Sequence, residues 1–499
     1  MNNFVILSPQ DSVAVALQDI PAETTLETEK GQVTVQQDIT RGHKIALQDI
    51  SKGGDVIKYG FPIGHATENI KKGQWIHTHN LKTNLNDELS YEYQPKDYGN
   101  PYAGHKDKRT FMGYERSNGK VGIRNDLYVI PTVGCINPLL DIAVQQFKTL
   151  HPDNGSFDSV ILLKHPYGCS QLGDDFEQTR KILVDAALQP NAGGVLLFGL
   201  GCENNQISGM KEELEKRNYD PQRVKFLVSQ EVDDELQIAL DMMEDLNTVA
   251  AQDKRTEQPL SKLKIGLKCG GSDGLSGVTA NPLFGRLSDF VVEQGGSTVL
   301  TEVPEMFGAE TILMSRADNQ ETFKKIVKLI NNFKHYFKSF NQPIYENPSP
   351  GNKEGGITTL EDKSLGCTQK SGHTQVKDVL QYGEKIQKSG LSLLESPGND
   401  LVSSSAEASA DCQMVLFSTG RGTPFATYVP TIKVSSNSYI ANKKPRWIDF
   451  DAGQLMQKSM DDLAEEFIQL IIDTASGKKT NNERHGIHGL AIFKIGVTE

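Results

Sequence analysis

The sequence has no apolar run approaching the roughly 20 residues that a bilayer-spanning helix needs, so an integral helical membrane protein is not expected. It also lacks a Lys/Arg-rich stretch. Its 52 basic and 64 acidic residues leave a formal net charge of −12, which argues against nucleic acid as the main partner. The opening stretch, MNNFVILSPQDSVAVALQDI, has no basic n-region and soon carries Asp11 and Asp19, so it does not read as a secretory signal. No Cys-x-x-Cys occurs among the six cysteines, and zinc-ribbon and ferredoxin spacings are therefore missing. So few cysteines in 499 residues read as free thiols, ligands or core residues of a cytoplasmic enzyme rather than a disulfide framework. An acidic chain that handles a small anion has to build a local positive site from a metal ion, Lys/Arg or helix N-termini.

What is present suggests about three domains, at roughly 150 residues each. Residues 1–84 alternate over short stretches such as VTVQQDI, HKIALQDI and DVIKYGFPIG, with glycines between them, as in a small all-β module. Residues 85–108, polar and tyrosine-bearing with Pro and Gly breaks, read as a linker long enough to wrap over a neighbour. Residues 109–250 alternate apolar runs with 3.6-period segments: DLYVIPTVGC with NPLLDIAVQQFKTL, SVILLKHPYGC with a helix near 174–188, GGVLLFGLGC with one near 207–217, and RVKFLVSQ with one near 233–246. That is βαβ patterning and predicts a parallel sheet covered on both faces. After a polar break, residues 260–499 read as a second α/β domain. Within it the interval 341–374 reads as a long loop rich in Gly, Pro and polar residues, the kind that more often carries function than not.

Five of the six cysteines touch a glycine. Cys135 (TVGCIN), Cys169 (PYGCSQ) and Cys202 (GLGCENNQ) end three consecutive strand-like runs, where open parallel sheets bind ligands. A glycine beforehand lets the backbone turn tightly and approach a ligand. Their polar neighbours Asn137, Ser170, Gln171, Glu203, Asn204 and Asn205 are then candidate substrate contacts. Cys169, Cys202 and nearby His165 are candidates for the chemistry, and Cys135 for holding a metal. The bland alternative is that such cysteines serve as small buried hydrophobes.

In the first module, RGHKIAL sets His43 and Lys44 after a glycine turn, and WIHTHN spaces His77 and His79 two apart. On a strand, residues two apart share a face, so His77 and His79, with His43, are candidate metal ligands through imidazole nitrogen. Two glycine-rich clusters, CGGSDGLSGVTANP and STGRGTPF, match neither a Walker loop nor a dinucleotide fingerprint. They can still form an anion nest, with Ser272, Asp273 and the fork of Arg421 as substrate contacts, joined by Lys370 of LGCTQK.

Together RGHKIALQDI, YVIPTVGCIN, YGCSQLGDD, GLGCENNQ, CGGSDGLSGVTANP, TEVPEMFGAE, YENPSPGNKEGGITTLEDKSLGCTQK and FSTGRGTPF closely resemble the altronate/galactarate dehydratase family, over essentially the whole chain. The resemblance implies an N-terminal SAF-type β-clip domain, a flavodoxin-like α/β domain and a further α/β domain. It also implies a hydro-lyase converting D-altronate to 2-dehydro-3-deoxy-D-gluconate in hexuronate catabolism with a divalent cation, iron(II) or manganese(II), and a homo-oligomeric, dimeric assembly. An iron–sulfur cluster on the strand-end cysteines, a galactarate-type activity and a non-catalytic sugar-acid binder remain as alternatives. The chemistry agrees with a cation: removing a C2 proton beside a carboxylate builds charge that a Lewis acid stabilises, and His43 or Lys44 with a lowered pKa can take that proton.

Overall fold

The computed structural model describes residues 3–85 and 90–499. Residues 86–89, part of the expected linker, lie outside the described residues.

In the N-terminal module, Phe4–Val5, Val13–Ala16, Lys44–Ala46 and Trp75–Ile76 form one antiparallel sheet. Two smaller antiparallel sheets flank it. The hairpin between Asp55–Lys58 and Phe61–Ala66 turns on Tyr59 and Gly60, both with positive φ (60° and 77°), as a two-residue type I′ turn requires. A tyrosine held there costs about 1–2 kcal/mol. The module does not stand apart. Val13, Ala46, Val56 and Ile63 share one apolar cluster with Ala309 and Leu365 of the C-terminal domain.

The middle domain is a four-stranded parallel sheet in the order Val160–Leu162, Asp126–Pro131, Ala192–Gly199, Val224–Val228. In chain order this is 2-1-3-4, the flavodoxin-like winding. Every residue of Ala192–Gly199 is buried, as expected for a strand covered on both faces. The helix Asn137–Leu150 buries Leu140, Ala143, Val144 and Phe147, a stripe at helical spacing.

The C-terminal domain carries a seven-stranded parallel sheet with Lys264–Cys269 between Ser297–Leu300 and Met414–Thr419. Strand order reverses there, so the carboxyl end of that strand, Cys269, stands at a topological switch point. Residues 90–108 lie along this domain: the Tyr91 hydroxyl donates to Glu310 (2.7 Å) and that of Tyr93 to the Ala317 carbonyl (2.9 Å). The polar break after residue 250 contains a strand, Thr256–Pro259, which pairs with Thr110–Glu115 and ties the two α/β domains together. Their cores merge, with Tyr128, Ile130 and Ile182 packed among Val299, Leu394 and Ala406. No helix among the described residues is long and apolar enough to cross a membrane.

The interval 341–374 departs from the loop expectation. It contains the helices Pro350–Glu354 and Leu360–Thr368, and all nine residues of the second are buried. Its sequence, LEDKSLGCT, hides a buried helix because its charges are paired inside the protein rather than solvated.

Candidate active site

The buried helix Leu360–Thr368 organises the site. Thr359 caps it, accepting from the Asp362 backbone N–H. Successive side chains then reach different domains. Glu361 accepts from the Thr83 hydroxyl (2.8 Å) and the Asn84 backbone (2.6 Å). Asp362 takes Lys44 on one oxygen and Lys58 on the other, each at 2.8 Å. Lys363 pairs with Glu305 at 2.7 Å, and Cys367 lies 3.4 Å from the Cys269 sulfur.

Both sulfurs stand 3.1 Å from Glu305 Oε2, and the three ligand atoms lie within 4.8 Å of one another. Two thiols and a carboxylate so grouped suit a divalent cation and leave coordination positions open. Burial alone would raise Glu305, but ion pairing with Lys363 and the fields of Lys370 and Lys268 outweigh it and hold the carboxylate ionised. The hydrogen bond from Cys269, together with burial, pushes the Cys367 thiol up, so a cation has to displace its proton to bind. Behind the triad, Glu302 bridges Lys268 (2.5 Å) and Lys370 (2.8 Å), and Lys268 also meets Asp400 at 2.8 Å. Five ammonium groups, those of Lys44, Lys58, Lys268, Lys363 and Lys370, thus gather in an acidic protein. Asp362, Glu305, Glu302 and Asp400 pair with them, so the site is a dense, nearly balanced network of buried ion pairs.

A narrow crevice of only about 10 Å³ lies over this helix, lined by Lys58, Tyr59, Ser272, Asp273, Asp362, Lys363 and Cys367. The Ser272 hydroxyl is buried without a hydrogen-bond partner, the state of a group waiting for a ligand. Burial pushes the Tyr59 phenol up to about 12, so it stays protonated. Burial lowers Lys44 to about 8 despite Asp362, whereas the pairing of Lys58 with Asp362 outweighs burial and raises it. One carboxylate therefore serves two lysines of opposite tendency.

Asp273 also lines a wider cleft of about 740 Å³ with Arg41, Glu354, Arg421 and Lys443. Arg421 pairs with Glu354 at 3.0 Å at its mouth. Between crevice and cleft the two domains cross backbone on backbone. A Cβ on Gly274 would stand 2.0 Å from the Gly42 carbonyl oxygen, and one on Gly356 2.4 Å from it. That contact explains the glycines of RGHK, SDGLSG and KEGGI: no side chain fits there.

The predicted residues divide into two groups. His43, Lys44, His77, Ser272, Asp273, Lys370 and Arg421 fall at the junction of the first module with the C-terminal domain. His43 accepts from Trp75 Nε1 at Nδ1 (3.1 Å), and its Nε2 faces the Glu354 carbonyl at 3.2 Å, so both ring nitrogens have partners. His77 packs edge-on to it at 5.0 Å and bonds Thr358 through Nδ1 (3.2 Å). Burial drops His77 to about 4, leaving a neutral imidazole. The expected His77/His79 strand face is not formed. The strand ends at Ile76, Asn80 closes a turn by accepting from the His77 backbone (3.0 Å), and His79 is exposed while His77 is buried.

Cys135, Cys169, Cys202, His165, Asn137, Ser170, Gln171, Glu203, Asn204 and Asn205 sit elsewhere, at the carboxyl edge of the middle sheet. Most of the polar ones knit loops together. Glu203 is buried and accepts from the Thr132 hydroxyl, and Asn205 donates to the Thr132 carbonyl (3.2 Å). His165 is buried with Nε2 on the Pro131 carbonyl (2.8 Å) and Nδ1 accepting from the Tyr167 backbone (3.1 Å), and burial holds it near pKa 4. Cys135 is thus remote from the histidines it was grouped with, and the His43 loop packs on the C-terminal domain rather than on this edge. The reason is the cluster joining the first module to Ala309 and Leu365.

Three family models match successive parts of the chain. Residues 2–84 match a model described as the altronate/galactarate dehydratase SAF domain. Residues 113–251 match the D-galactarate dehydratase/altronate hydrolase second domain, and residues 260–498 the D-galactarate/altronate dehydratase C-terminal domain. The chain belongs to the altronate/galactarate dehydratase family. Among the family's curated members, an altronate dehydratase of Bacillus subtilis (strain 168) is 55% identical over all of both chains. One of Escherichia coli (strain K12) is 53% identical over 99% of each. A galactarate dehydratase (L-threo-forming) of Escherichia coli is 31% identical, over 98% of this chain and 96% of its own length.

Sequence reasoning missed Glu305, Asp362, Lys363, Lys58 and Tyr59, and it did not place Cys269 and Cys367 in the site. The cysteine signal was present, since both repeat the glycine–cysteine pairing of the other three. Their separation of 98 residues leaves nothing in spacing that pairs them.

Proposed function

We propose that this protein dehydrates D-altronate to 2-dehydro-3-deoxy-D-gluconate at the junction of the SAF module with the C-terminal domain, where the cleft of about 740 Å³ adjoins the crevice through Asp273. The observation that carries the reading is end-to-end similarity to altronate dehydratases at well above the identity to the galactarate enzyme. The geometry supports it, because buried lysines beside a two-thiol, one-carboxylate triad can offset the charge of an anionic substrate that becomes more anionic as it reacts.

Arg421 and Arg41 at the outer cleft meet the incoming carboxylate, and Ser272 and Asp273 bond its hydroxyls. Cys269, Glu305 and Cys367 would hold a divalent cation, which would supply Lewis-acid stabilisation of enediolate charge; two thiolates suit iron(II) better than manganese(II). Lys44, neutral above about pH 8, accepts the C2 proton. As an amine it keeps two N–H groups for the Gly356 carbonyl (2.7 Å) and Asp362 (2.8 Å) while its lone pair is free. Lys58 and Lys363 remain charged and offset the charge of the enediolate. Tyr59, protonated and fixed in a left-handed turn, donates to the departing C3 hydroxyl, which leaves as water. The enol then takes a proton at C3 to give the 2-keto acid. Strain stored at such a residue is typical of functional positions.

Incubation of the protein with altronate and iron(II) tests the reading, with galactarate as the control. The expected product is a 2-keto-3-deoxy acid, formed with kcat/KM at least about tenfold above that for galactarate, a difference of ~1.4 kcal/mol. Equal or reversed preference contradicts the substrate assignment.

A further inference from the structure

A cavity of about 250 Å³ lies on the seam between the middle and C-terminal domains, and it shares no residue with the crevice or the cleft. It has room for about eight waters at roughly 30 Å³ each. One wall is Val160 and Ile161 of the middle sheet's edge strand, with Lys148 of the helix Asn137–Leu150. The other wall is residues 426–431 and the segment 479–488, which supplies Lys479, Asn482, Arg484 and His488.

The charged lining is cationic and carries no ion pair of its own. Lys148 is half-buried and has no bonded partner among the described residues, and burial alone lowers its pKa. Lys479 donates to the Asp158 carbonyl (2.8 Å), and the exposed Arg484 to Asn481 Oδ1 (3.3 Å). Neither meets a carboxylate among the described residues. The acid that lines the cavity, Glu483, gives both its oxygens to Arg124 (2.6 and 3.0 Å). Three cations without counter-ions thus stand around one cavity in a protein of formal net charge −12. A small anion is drawn to such a place.

The neutral groups give a separate sign. Asn482 is 1% exposed, and its Nδ2 donates to the Thr431 carbonyl (3.3 Å) while Oδ1 is buried without a partner. A buried acceptor left so calls for a donor. Burial and the field of Lys148 lower His488 to about 4, so its ring is neutral, and neither nitrogen has a partner among the described residues. It can offer an N–H to an anion. In the edge strand the Ser159 carbonyl accepts from Leu127, and the Leu163 N–H donates to the Val129 carbonyl (both 2.9 Å). Alternate residues therefore bond to the sheet, and Val160, on the cavity wall, turns its N–H outward.

We infer that this cavity binds a small hydroxy-dicarboxylate that bridges the two domains. Its two carboxylates answer Lys148 on one wall and Lys479 with Arg484 on the other. Its hydroxyl supplies the donor that Asn482 Oδ1 lacks. Val160, Ile161, Val429, Pro430 and Ile487 give a short carbon chain an apolar surface, which an inorganic anion does not use. The site stands or falls apart from the dehydratase reading, because its ligand is measured by binding alone.

The test is calorimetric titration of the full chain with L-malate, with succinate, 1,2,4-butanetriol and inorganic phosphate as comparisons. The expected result is saturable binding of one malate per chain that weakens with added salt. Binding should be at least about tenfold weaker (~1.4 kcal/mol) in each of Lys148→Ala and Arg484→Ala. Neither side chain is ion-paired, so both variants should keep the wild-type circular dichroism spectrum. Succinate, which lacks the hydroxyl, should bind at least about fivefold more weakly, and butanetriol should not bind. Arg421→Ala, changed only at the cleft, should bind malate as the wild type does. Malate should also raise the melting temperature of the wild type and leave that of Lys148→Ala unmoved. Absence of saturable binding overturns the inference. So does full binding in both lysine and arginine variants, loss of binding in Arg421→Ala, or succinate or phosphate binding as tightly as malate.

Discussion

Cysteines stand at strand ends on both parallel sheets, Cys269 on one and Cys135, Cys169 and Cys202 after the strands of the other, and their surroundings differ in almost everything else. Cys269, Glu305 and Cys367 are buried beneath lysines, and their partners come from the N-terminal module and a helix 98 residues further on. Cys135, Cys169 and Cys202 are exposed, and their loops bond mainly to one another. The comparison teaches that sheet topology alone nominates candidate edges. Burial and a network of ion-paired lysines distinguish the edge at Cys269 from the exposed one.

The largest effect that sharpens this contrast is on stability. Asp362→Asn leaves Lys44 and Lys58 buried without their counter-ion, and the unfolding free energy should fall by about 3–5 kcal/mol, measured by denaturant titration. An unchanged midpoint would mean that the crevice does not confine charge as described. Next, Tyr59→Phe should cut kcat about a hundredfold, ~2.7 kcal/mol, with KM little changed, read from steady-state kinetics on altronate.

The pH profile comes third. Burial depresses Lys44 to about 8, so the neutral amine is lost as pH falls through that value. The rate constant kcat/KM should drop roughly tenfold per unit below pH 8 and level off above it. Lys44→Arg, charged at every accessible pH, should abolish the rising limb together with activity. Arg421→Ala is smaller, with KM raised about tenfold (~1.4 kcal/mol) and kcat retained. Smallest is Cys169→Ser on the rim, where melting should shift by no more than about 0.5 kcal/mol equivalent, because the side chain is exposed.

The elements were readable where one face is apolar. NPLLDIAVQQFKTL shows its helical stripe in the sequence, and Asn137–Leu150 is that helix. Leu360–Thr368 was hidden for the opposite reason: Glu361, Asp362 and Lys363 all point inward to partners, so no polar face marks it. RGHK was legible as a site because its glycine and its basic pair lie together. Lys58, Tyr59 and Glu305 were not, since only tertiary folding brings them to Cys367. The His77/His79 spacing misled because a turn closed by Asn80 replaces the strand that would have aligned the rings.

The most direct test of the central claim is the turnover of altronate by Cys367→Ser, measured anaerobically at saturating iron(II) alongside its thermal melt. The account predicts kcat/KM reduced more than about a hundredfold (~2.7 kcal/mol) in a protein that melts as the wild type does. Wild-type turnover in that variant would contradict the placement of the chemistry between the SAF module and the C-terminal domain.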